Sequence, residues 1–204
     1  MRLLLIRHGE TADNTAQVIG SRLPGPPLSA TGVEQARALS GTLAAEQVTV
    51  VHSSRALRAL QTAETLAASL GVPHVPVQGL HEIEAGDLEG RPYSEARSSY
   101  VGTMQRWWTD EEARIPGGEN GTEFMARFGD AVASSTATTP PGATVVVVAH
   151  EAAICVWAAF VADNVDAAFS RTHGVSNTGI VVLEGSVEAG WTATSWDGEN
   201  LLPA

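Results

Sequence analysis

The chain opens with Met1-Arg-Leu-Leu-Leu-Ile-Arg-His-Gly-Glu-Thr11, and this stretch decides the fold. Residues 3–6 form a short, unbroken apolar run, which is typical of a strand buried on both faces of a parallel sheet. Arg7 and His8 follow at the carboxyl end of that strand, the edge where open α/β sheets bind their ligands. Because a cation and an imidazole are costly to bury without a partner, the stretch predicts a functional site at this edge.

The rest of the chain alternates apolar runs with patterns of helical period, which favours an α/β fold. Further strands are predicted at 48–51, 72–77, 144–149, 179–183 and 191–196. Helices are predicted at 30–46, 55–70, 93–110, 122–135 and 152–161, and loops at 11–27 and 80–90. We therefore expect a three-layer α/β/α architecture with a mostly parallel central sheet.

Length and composition predict one globular domain that spans residues 1–204. Hydrophobic residues make up 44% of the 204 residues and charged residues 17%. The net charge of −11 argues against nucleic acids and anionic membranes as partners. The single cysteine, Cys155, cannot form an intramolecular disulfide. No apolar run has the length of a signal sequence or of a membrane span, so we expect a cytoplasmic protein.

Two histidines and two arginines are expected to meet at the carboxyl edge of the sheet. His8 and His150 each follow a predicted strand, and Arg58 lies about one turn into the helix after the second strand. With Arg7 they form a pocket suited to a dianionic tetrahedral oxyanion, because guanidinium forks match phosphate oxygens. Helix N-termini after Ser54 and His150 would add backbone N–H donors. The pattern indicates phosphoryl chemistry, in which a histidine can serve as the nucleophile.

Phosphoryl transfer to a histidine also needs a general acid for the leaving oxygen. Glu82 is the best candidate, because it lies in the loop after the third predicted strand. Spacing alone leaves three other carboxylates open, namely Glu10, Glu84 and Glu89.

Several segments form an ordered set of motifs along nearly the whole chain. They are Leu5-Ile-Arg-His-Gly-Glu-Thr11, Leu28-Ser-Ala-Thr-Gly32 with Gln35-Ala36, residues 54–63 (Ser-Arg-Ala-Leu-Arg-Ala-Leu-Gln-Thr-Ala), residues 80–90, Pro116-Gly-Gly-Glu119 and the strand that ends in His150. The set resembles the histidine phosphatase superfamily, in its phosphoglycerate mutase-like branch. The resemblance implies a phosphoglycerate mutase-like fold, in which a segment at about 84–120 covers the active site.

This resemblance also implies a role for each residue of the site. His8 would be the phosphorylated nucleophile, and Glu82 the proton donor that later helps to deprotonate the attacking water. Arg7, Arg58 and His150 would bind the phosphoryl group and stabilise its transition state. No metal or other cofactor is implied, because the arginines neutralise the phosphoryl charge. The implied reaction is the hydrolysis of phosphate monoesters of small metabolites.

Three more residues are candidates for binding phosphate or substrate. The resemblance implies Asn14 as a further phosphate contact. Arg22 lies in residues 20–28, which lack the aspartate that many members of the family carry. Glu151 stands where the family usually has a glycine, and its carboxylate would repel a dianion unless it points away.

Two alternatives come from other classes of protein. A metalloenzyme could draw its ligands from His8, His81, Glu82, His150 and Glu151, although neither His-Glu pair is followed by a histidine at the zincin spacing. A catalytically silent binding module on the same fold should have lost one of the core residues, and all of them are present.

A cofactor-dependent phosphoglycerate mutase is the third alternative, because it shares every core residue. Mutases of this family carry extra basic residues that clamp the substrate carboxylate. This chain has Tyr93 where they place a lysine and Trp107-Trp108 near their arginine pair, which favours hydrolysis. Tyr93, Tyr100, Trp107 and Trp108 either belong to the core or line the substrate pocket, and the sequence leaves both possibilities open.

Overall fold

A computed structural model describes residues 1–140 and 142–202 of the chain. These residues form a seven-stranded sheet in the order β3-β2-β4-β1-β5-β6-β7. The strands are β1 (Arg2–Arg7), β2 (Val48–Ser53), β3 (His74–Pro76), β4 (Thr144–Ala149), β5 (Ile180–Ser186), β6 (Gly190–Trp196) and β7 (Glu199–Asn200). The first four run parallel, and β5 to β7 add an antiparallel margin beside β1.

β1 lies at the centre of the sheet because both of its faces are apolar. Leu3 and Leu5 pack into one hydrophobic cluster, whereas Leu4 and Ile6 pack into another on the opposite face. All four are almost completely buried. The unbroken apolar run in the sequence is therefore the consequence of burial on both faces.

Helices cover both faces of the sheet. In the described residues they are α1 (Ala12–Ala16), α2 (Ala30–Thr42), α3 (Leu57–Leu70), α4 (Tyr93–Arg106), α5 (Gly121–Thr136), α6 (Glu151–Val161) and α7 (Ala167–Thr172). α2 and α3 contribute to the cluster of Leu4 and Ile6, and α5 and α6 to the other cluster. The prediction of a three-layer fold with a mostly parallel core is confirmed. Of these helices, none is both long and apolar enough to span a bilayer.

The structure corrects several local predictions. The loop predicted at 11–27 contains α1, which begins with a capping box between Thr11 and Asn14. α3 begins at Leu57, later than predicted, and no side chain caps it. The hydroxyl of Ser54 instead accepts from the Ala56 N–H. α2 and α4 end earlier than predicted, while α7 and β7 are too short to show a period in the sequence.

Candidate active site

The two site histidines meet because β1 and β4 are parallel neighbours in register. Arg7 lies opposite Ala149 in this pairing, so His8 and His150 both follow their strands at the same edge. Their ring centroids are 5.2 Å apart. Arg58 reaches both rings from the first turn of α3, with Nε 3.0 Å from His8 Nε2 and Nη2 3.0 Å from His150 Nδ1. The predicted convergence of two imidazoles and a guanidinium is therefore present.

The backbone fixes the tautomer of His8. Its Nδ1 lies 2.7 Å from the Gly9 carbonyl oxygen, which can only accept, so Nδ1 carries the proton. Nε2 then bears the lone pair, and this pair accepts from Arg58 Nε. Burial and the neighbouring Arg58 charge lower the pKa of His8 well below its usual value. His8 is thus a neutral imidazole with its unprotonated nitrogen turned toward Arg58.

His150 is also neutral, because it is buried beside Arg58, and it accepts a hydrogen bond from Arg58. Burial, followed by the Arg58 charge, lowers its pKa well below the usual value. Because Nδ1 accepts from Arg58, Nε2 carries the proton and donates to Ser54 Oγ at 2.9 Å. The sequence marks Ser54 only as the residue before a predicted helix N-terminus and does not indicate this contact. No pattern in the sequence connects Ser54 to His150, because they lie on different elements.

A metal ion would have to displace this guanidinium, because Arg58 engages the lone pairs of both imidazoles. In the described part of the chain, no three His, Cys, Asp or Glu side chains are grouped as ligands of one ion would be.

Arg7 lies beside this group and keeps part of its hydrogen-bonding capacity. Its Nη1 donates to the Val175 carbonyl and to the Glu151 carboxylate, at 2.7 Å each. Its Nε is buried and has no partner among the described residues. Glu151 is therefore paired with Arg7, so the Arg7 charge offsets the repulsion that its carboxylate would exert on a bound dianion. An unsatisfied buried guanidinium N–H is a donor suited to an oxyanion.

Glu82 is held at the amino end of α6 by three backbone N–H groups. Oε1 accepts from Ile83 and Ala153 at 2.8 and 2.9 Å, and Oε2 accepts from Ala152 at 3.2 Å. Burial raises the pKa of Glu82, and these bonds together with Arg58 offset only part of that rise. The Ala152 and Ala153 N–H groups of α6 therefore bind Glu82 and do not face a ligand anion directly as predicted. In α3, Leu57 N–H donates to the Pro24 carbonyl and Ala59 N–H to the Ala56 carbonyl, so these two are also taken.

The other candidate acids lie away from the cavity described below. Glu10 accepts from the Ser29 hydroxyl at 2.7 Å. Glu84 lies 3.4 Å from His81, and Glu89 accepts from Ser21. None of the three lines the cavity, whereas Glu82 does.

The loop that carries Glu82 is fixed by Arg127 and Glu119. Arg127 donates to the carbonyl oxygens of Gly79, His81 and Glu82, at 2.7 to 3.0 Å. Glu119 pairs with Arg127 and accepts from the Glu84 N–H at 2.8 Å. One buried ion pair thus holds both sides of Glu82. The sequence analysis did not single out Arg127, because nothing in its neighbourhood distinguishes it from an ordinary helix-surface arginine.

A cavity of about 330 Å³ opens above these groups. Asn14 lines it, and its Oδ1 accepts from the Thr11 N–H at 3.0 Å. Glu151 lines it as well. Arg22 is exposed and is not among the residues that line the cavity, so the structure does not bring it to the other candidates.

The aromatic residues of α4 divide between cavity and core. Tyr93 and Tyr100 line the cavity, and the Tyr100 hydroxyl donates to the Ile83 carbonyl at 2.6 Å. Trp107 is fully buried and stacks on Phe124, with ring centroids 5.7 Å apart. Trp108 packs against Phe160.

A neutral histidine, two arginines and a buried carboxyl at the edge of a parallel sheet define a phosphoryl-transfer site of the histidine phosphatase type. The family model "Histidine phosphatase superfamily (branch 1)" matches residues 3–197, so the chain belongs to this family. The family predicted from the motifs is therefore confirmed.

Curated relatives support the same family. The chain is 35% identical over 214 aligned positions to PE-PGRS family protein PE_PGRS11 of Mycobacterium tuberculosis, covering 98% of this chain and 37% of that protein. The chain thus spans little more than a third of that relative's length. It is 31% identical to probable phosphoglycerate mutase GpmB of Yersinia pestis, covering 76% of this chain and 71% of that protein.

Solved structures agree with this fold. A mycobacterial glucosyl-3-phosphoglycerate phosphatase in complex with VO3 superposes with a TM-score of 0.82 at 27% identity, over 97% of this chain and 99% of that one. A putative alpha-ribazole-5'-P phosphatase from Escherichia coli, 23% identical, shares the fold with a TM-score of 0.76 over the full length of this chain and 99% of that one.

The Arg127 contacts predict a positioning role that can be measured. Arg127→Met should lower kcat by roughly tenfold to a hundredfold and change KM little, because it frees the Glu82 loop without touching substrate. It also leaves Glu119 without its partner, and breaking a buried pair costs about 3–5 kcal/mol in comparable cases. Steady-state kinetics should therefore be measured together with urea unfolding.

Arg114→Gln is the matched control, because it removes an exposed arginine that pairs with Glu123. It should leave both rate and unfolding close to those of the wild type. The double variant Arg127→Met with Glu119→Gln also removes the unpaired carboxylate. It therefore separates the effect on the position of the Glu82 loop from the effect on the free energy of unfolding. A folded double variant with wild-type kcat would contradict the positioning role.

Proposed function

We propose that this protein is a metal-independent phosphatase that hydrolyses small phosphate monoesters through a phosphohistidine at His8. The observation that carries the proposal is the His8 tautomer, in which Nδ1–H donates to the Gly9 carbonyl oxygen and Nε2 bears the lone pair that can attack phosphorus. Arg58 and Arg7 lie beside this nitrogen and can neutralise a phosphoryl dianion. The family and the phosphatases among the similar structures support this reading.

The first half-reaction transfers the phosphoryl group to His8. The phosphorus–oxygen ester bond breaks as His8 Nε2 bonds to phosphorus, and a phosphoryl oxygen replaces Nε2 as the partner of Arg58. Glu82, whose pKa is raised by burial, gives its proton to the leaving oxygen. In the second half-reaction the Glu82 carboxylate takes a proton from water, which attacks phosphorus. The phosphorus–nitrogen bond then breaks, and inorganic phosphate leaves.

The remaining residues complete the proposed site. Arg7, Arg58 and His150 surround the phosphoryl group, and Asn14 is a further contact. Glu151 acts through Arg7, which it holds in place at 2.7 Å. Arg22 is retained only as a residue that could reach substrate from outside the cavity. The region of about 84–120 covers the site, which is supported by the side chains that α4 contributes to the cavity lining.

The substrate is proposed to be a small phosphorylated metabolite and not a nucleic acid, since the net charge is −11. We also propose that residues 1–204 act as one domain and that the protein works in the cytoplasm.

Replacement of His8 tests the nucleophile. His8→Ala should abolish phosphatase activity, because no neighbouring group can form the same intermediate. Acid-quenched labelling with a phosphorylated substrate should place acid-labile phosphate on His8 and not on His150. His74→Ala, on the edge strand β3, is the control and should be labelled and active. Undiminished turnover of His8→Ala, or label on a serine, would disprove the assignment.

The same assay tests the independence from metal. A chelator should leave the rate unchanged, and vanadate should inhibit, because it imitates the transferring phosphoryl group. Loss of activity in EDTA that Zn²⁺ or Mg²⁺ restores would support the metalloenzyme alternative instead.

The pH dependence tests Glu82. A general acid must be protonated, so activity is present below the pKa of Glu82 and lost as pH rises through it. Since burial raises that pKa, the alkaline limb should lie above the usual carboxyl range. His8 must be neutral, and its lowered pKa lets activity persist below the usual imidazole range. The expected profile of kcat is a bell with its maximum at acidic pH.

Glu82→Gln should remove the alkaline limb and lower kcat with alkyl phosphates by about 10²–10⁴-fold. First-turnover release of p-nitrophenolate from p-nitrophenyl phosphate should fall far less, because that leaving group needs no proton. An alkaline limb that survives in Glu82→Gln would show that another group is the acid.

Hydrolysis is favoured over mutase activity by the position of Trp107. This residue lies near where mutases of the family place an arginine pair, and here it is buried against Phe124. A carboxylate clamp that loses two charged contacts loses roughly 1.5–3 kcal/mol for each, which is on the order of a hundredfold or more in rate. With 3-phosphoglycerate and catalytic 2,3-bisphosphoglycerate, phosphate release should therefore outpace isomerisation. Faster formation of 2-phosphoglycerate would favour the mutase, to which the relative GpmB points.

A further inference from the structure

The cavity has a buried floor and an exposed rim. His8 and Arg58 form the floor and are at most 4% exposed. Arg97 from α4 and Arg171 from α7 also line the cavity, but both are exposed. A phosphoryl group that reaches His8 must lie on the floor, where Arg7 and Arg58 neutralise it. The two rim guanidinium groups are therefore left to interact with the other end of the substrate.

Part of the cavity lining is apolar. Ile19, Met104 and Val156 line the cavity and are buried, and Val101 lines it beside them. Such side chains offer no hydrogen bonds to a leaving group and favour one with an apolar body.

The rim arginines are free of carboxylate partners in the described residues, where neither makes an ion pair or a side-chain hydrogen bond. Two other arginines, near the two ends of α4, behave differently. Arg91 pairs with Glu95 and Arg106 with Asp110, and neither lines the cavity. In a chain with 12 cationic residues and a net charge of −11, two uncommitted arginines at one cavity are a local exception.

Three carboxylates also line the cavity, and none neutralises the rim. Glu82 is bound at the floor by backbone N–H groups, and Glu151 is paired with Arg7. Asp13 lies so close to Gly20 that a Cβ added to Gly20 would come within 2.6 Å of Asp13 Oδ2. The negative charge of Asp13 stabilises the protonated form of Arg58. The positive charge of the rim therefore remains available to a ligand.

We infer that the substrate is a phosphate monoester whose leaving group has an apolar body and carries a second anionic group, which Arg97 and Arg171 bind. This inference rests on the proposed phosphatase function, since it assigns the leaving-group end of the same cavity. A guanidinium pair binds a carboxylate through charge-assisted hydrogen bonds, and both arginines act on binding and not on the reacting atoms.

Three synthetic substrates with one apolar body test the inference. They are n-hexyl phosphate, its ω-hydroxyl derivative and its ω-carboxylate derivative, whose leaving oxygens have nearly the same basicity because the substituent is remote. Wild-type enzyme should prefer the carboxylate in kcat/KM by roughly fivefold to thirtyfold, mainly through KM, as two exposed ion pairs allow. The ω-hydroxyl derivative should behave like n-hexyl phosphate.

Arg97→Gln and Arg171→Gln should each remove part of this preference, and the double variant should remove it. In each of these variants kcat/KM for n-hexyl phosphate should change less than kcat/KM for the ω-carboxylate derivative, because n-hexyl phosphate has no second anion. Arg91→Gln and Arg106→Gln are the controls, because they remove equal charge near the ends of α4 from residues that do not line the cavity, and they should keep the preference.

The outcomes separate this inference from the proposed function. No hydrolysis of any of the three esters would contradict the phosphatase itself. Hydrolysis without preference for the carboxylate would overturn the second anion site. An equal loss of kcat/KM for all three esters in the rim variants would also overturn it, because the arginines would then only attract the phosphate.

Discussion

The site depends on one buried guanidinium between two neutral imidazoles. Arg58 is 3% exposed, and the cost of burying its charge is offset by His8 Nε2, His150 Nδ1 and the Gly20 carbonyl, each at 3.0 to 3.1 Å. Each acceptor comes from a different part of the chain. The register of β1 with β4 sets the two imidazoles, and α3 delivers the arginine between them. A shift in any of these elements would leave a buried cation without partners.

The same burial shifts the pKa values of His8 and Glu82 in opposite directions. Removing water disfavours the charged form of every ionisable group, so it lowers the pKa of His8 and raises that of Glu82. Burial thus favours the neutral form of both groups, an imidazole with one unprotonated nitrogen and a protonated carboxyl. Arg58 strengthens the effect on His8 and weakens it on Glu82. The charge of Arg58 thus affects the pKa of both His8 and Glu82.

A second layer keeps this arrangement in place. Arg127 and Glu119 bind the backbone of the Glu82 loop, and Ser54 Oγ accepts a hydrogen bond from His150 Nε2. Gly9 packs so closely on α2 that a Cβ would come within 2.6 Å of the Gly32 carbonyl oxygen. This contact explains why two motifs that are distant in sequence each contain a glycine. The catalytic side chains are consequently carried by strands, helix starts and a braced loop.

The sequence by itself determined the sheet, the family and the groups expected at its edge. The two-sided apolar runs specified parallel strands, and the polar residues after β1 and β4 specified where a site would form. The sequence did not reveal Ser54 or Arg127 as partners of the site, because their contacts join elements that only the folded chain brings together. The sequence also did not show which aromatic residues in and after α4 line the cavity and which belong to the core. Tyr93, Tyr100 and Trp107 are spaced seven apart and would share a helix face, but α4 ends at Arg106 and Trp107 turns into the core. Side-chain direction at the end of a helix depends on the packing of its neighbours, so only the tertiary structure decided which rings face the substrate.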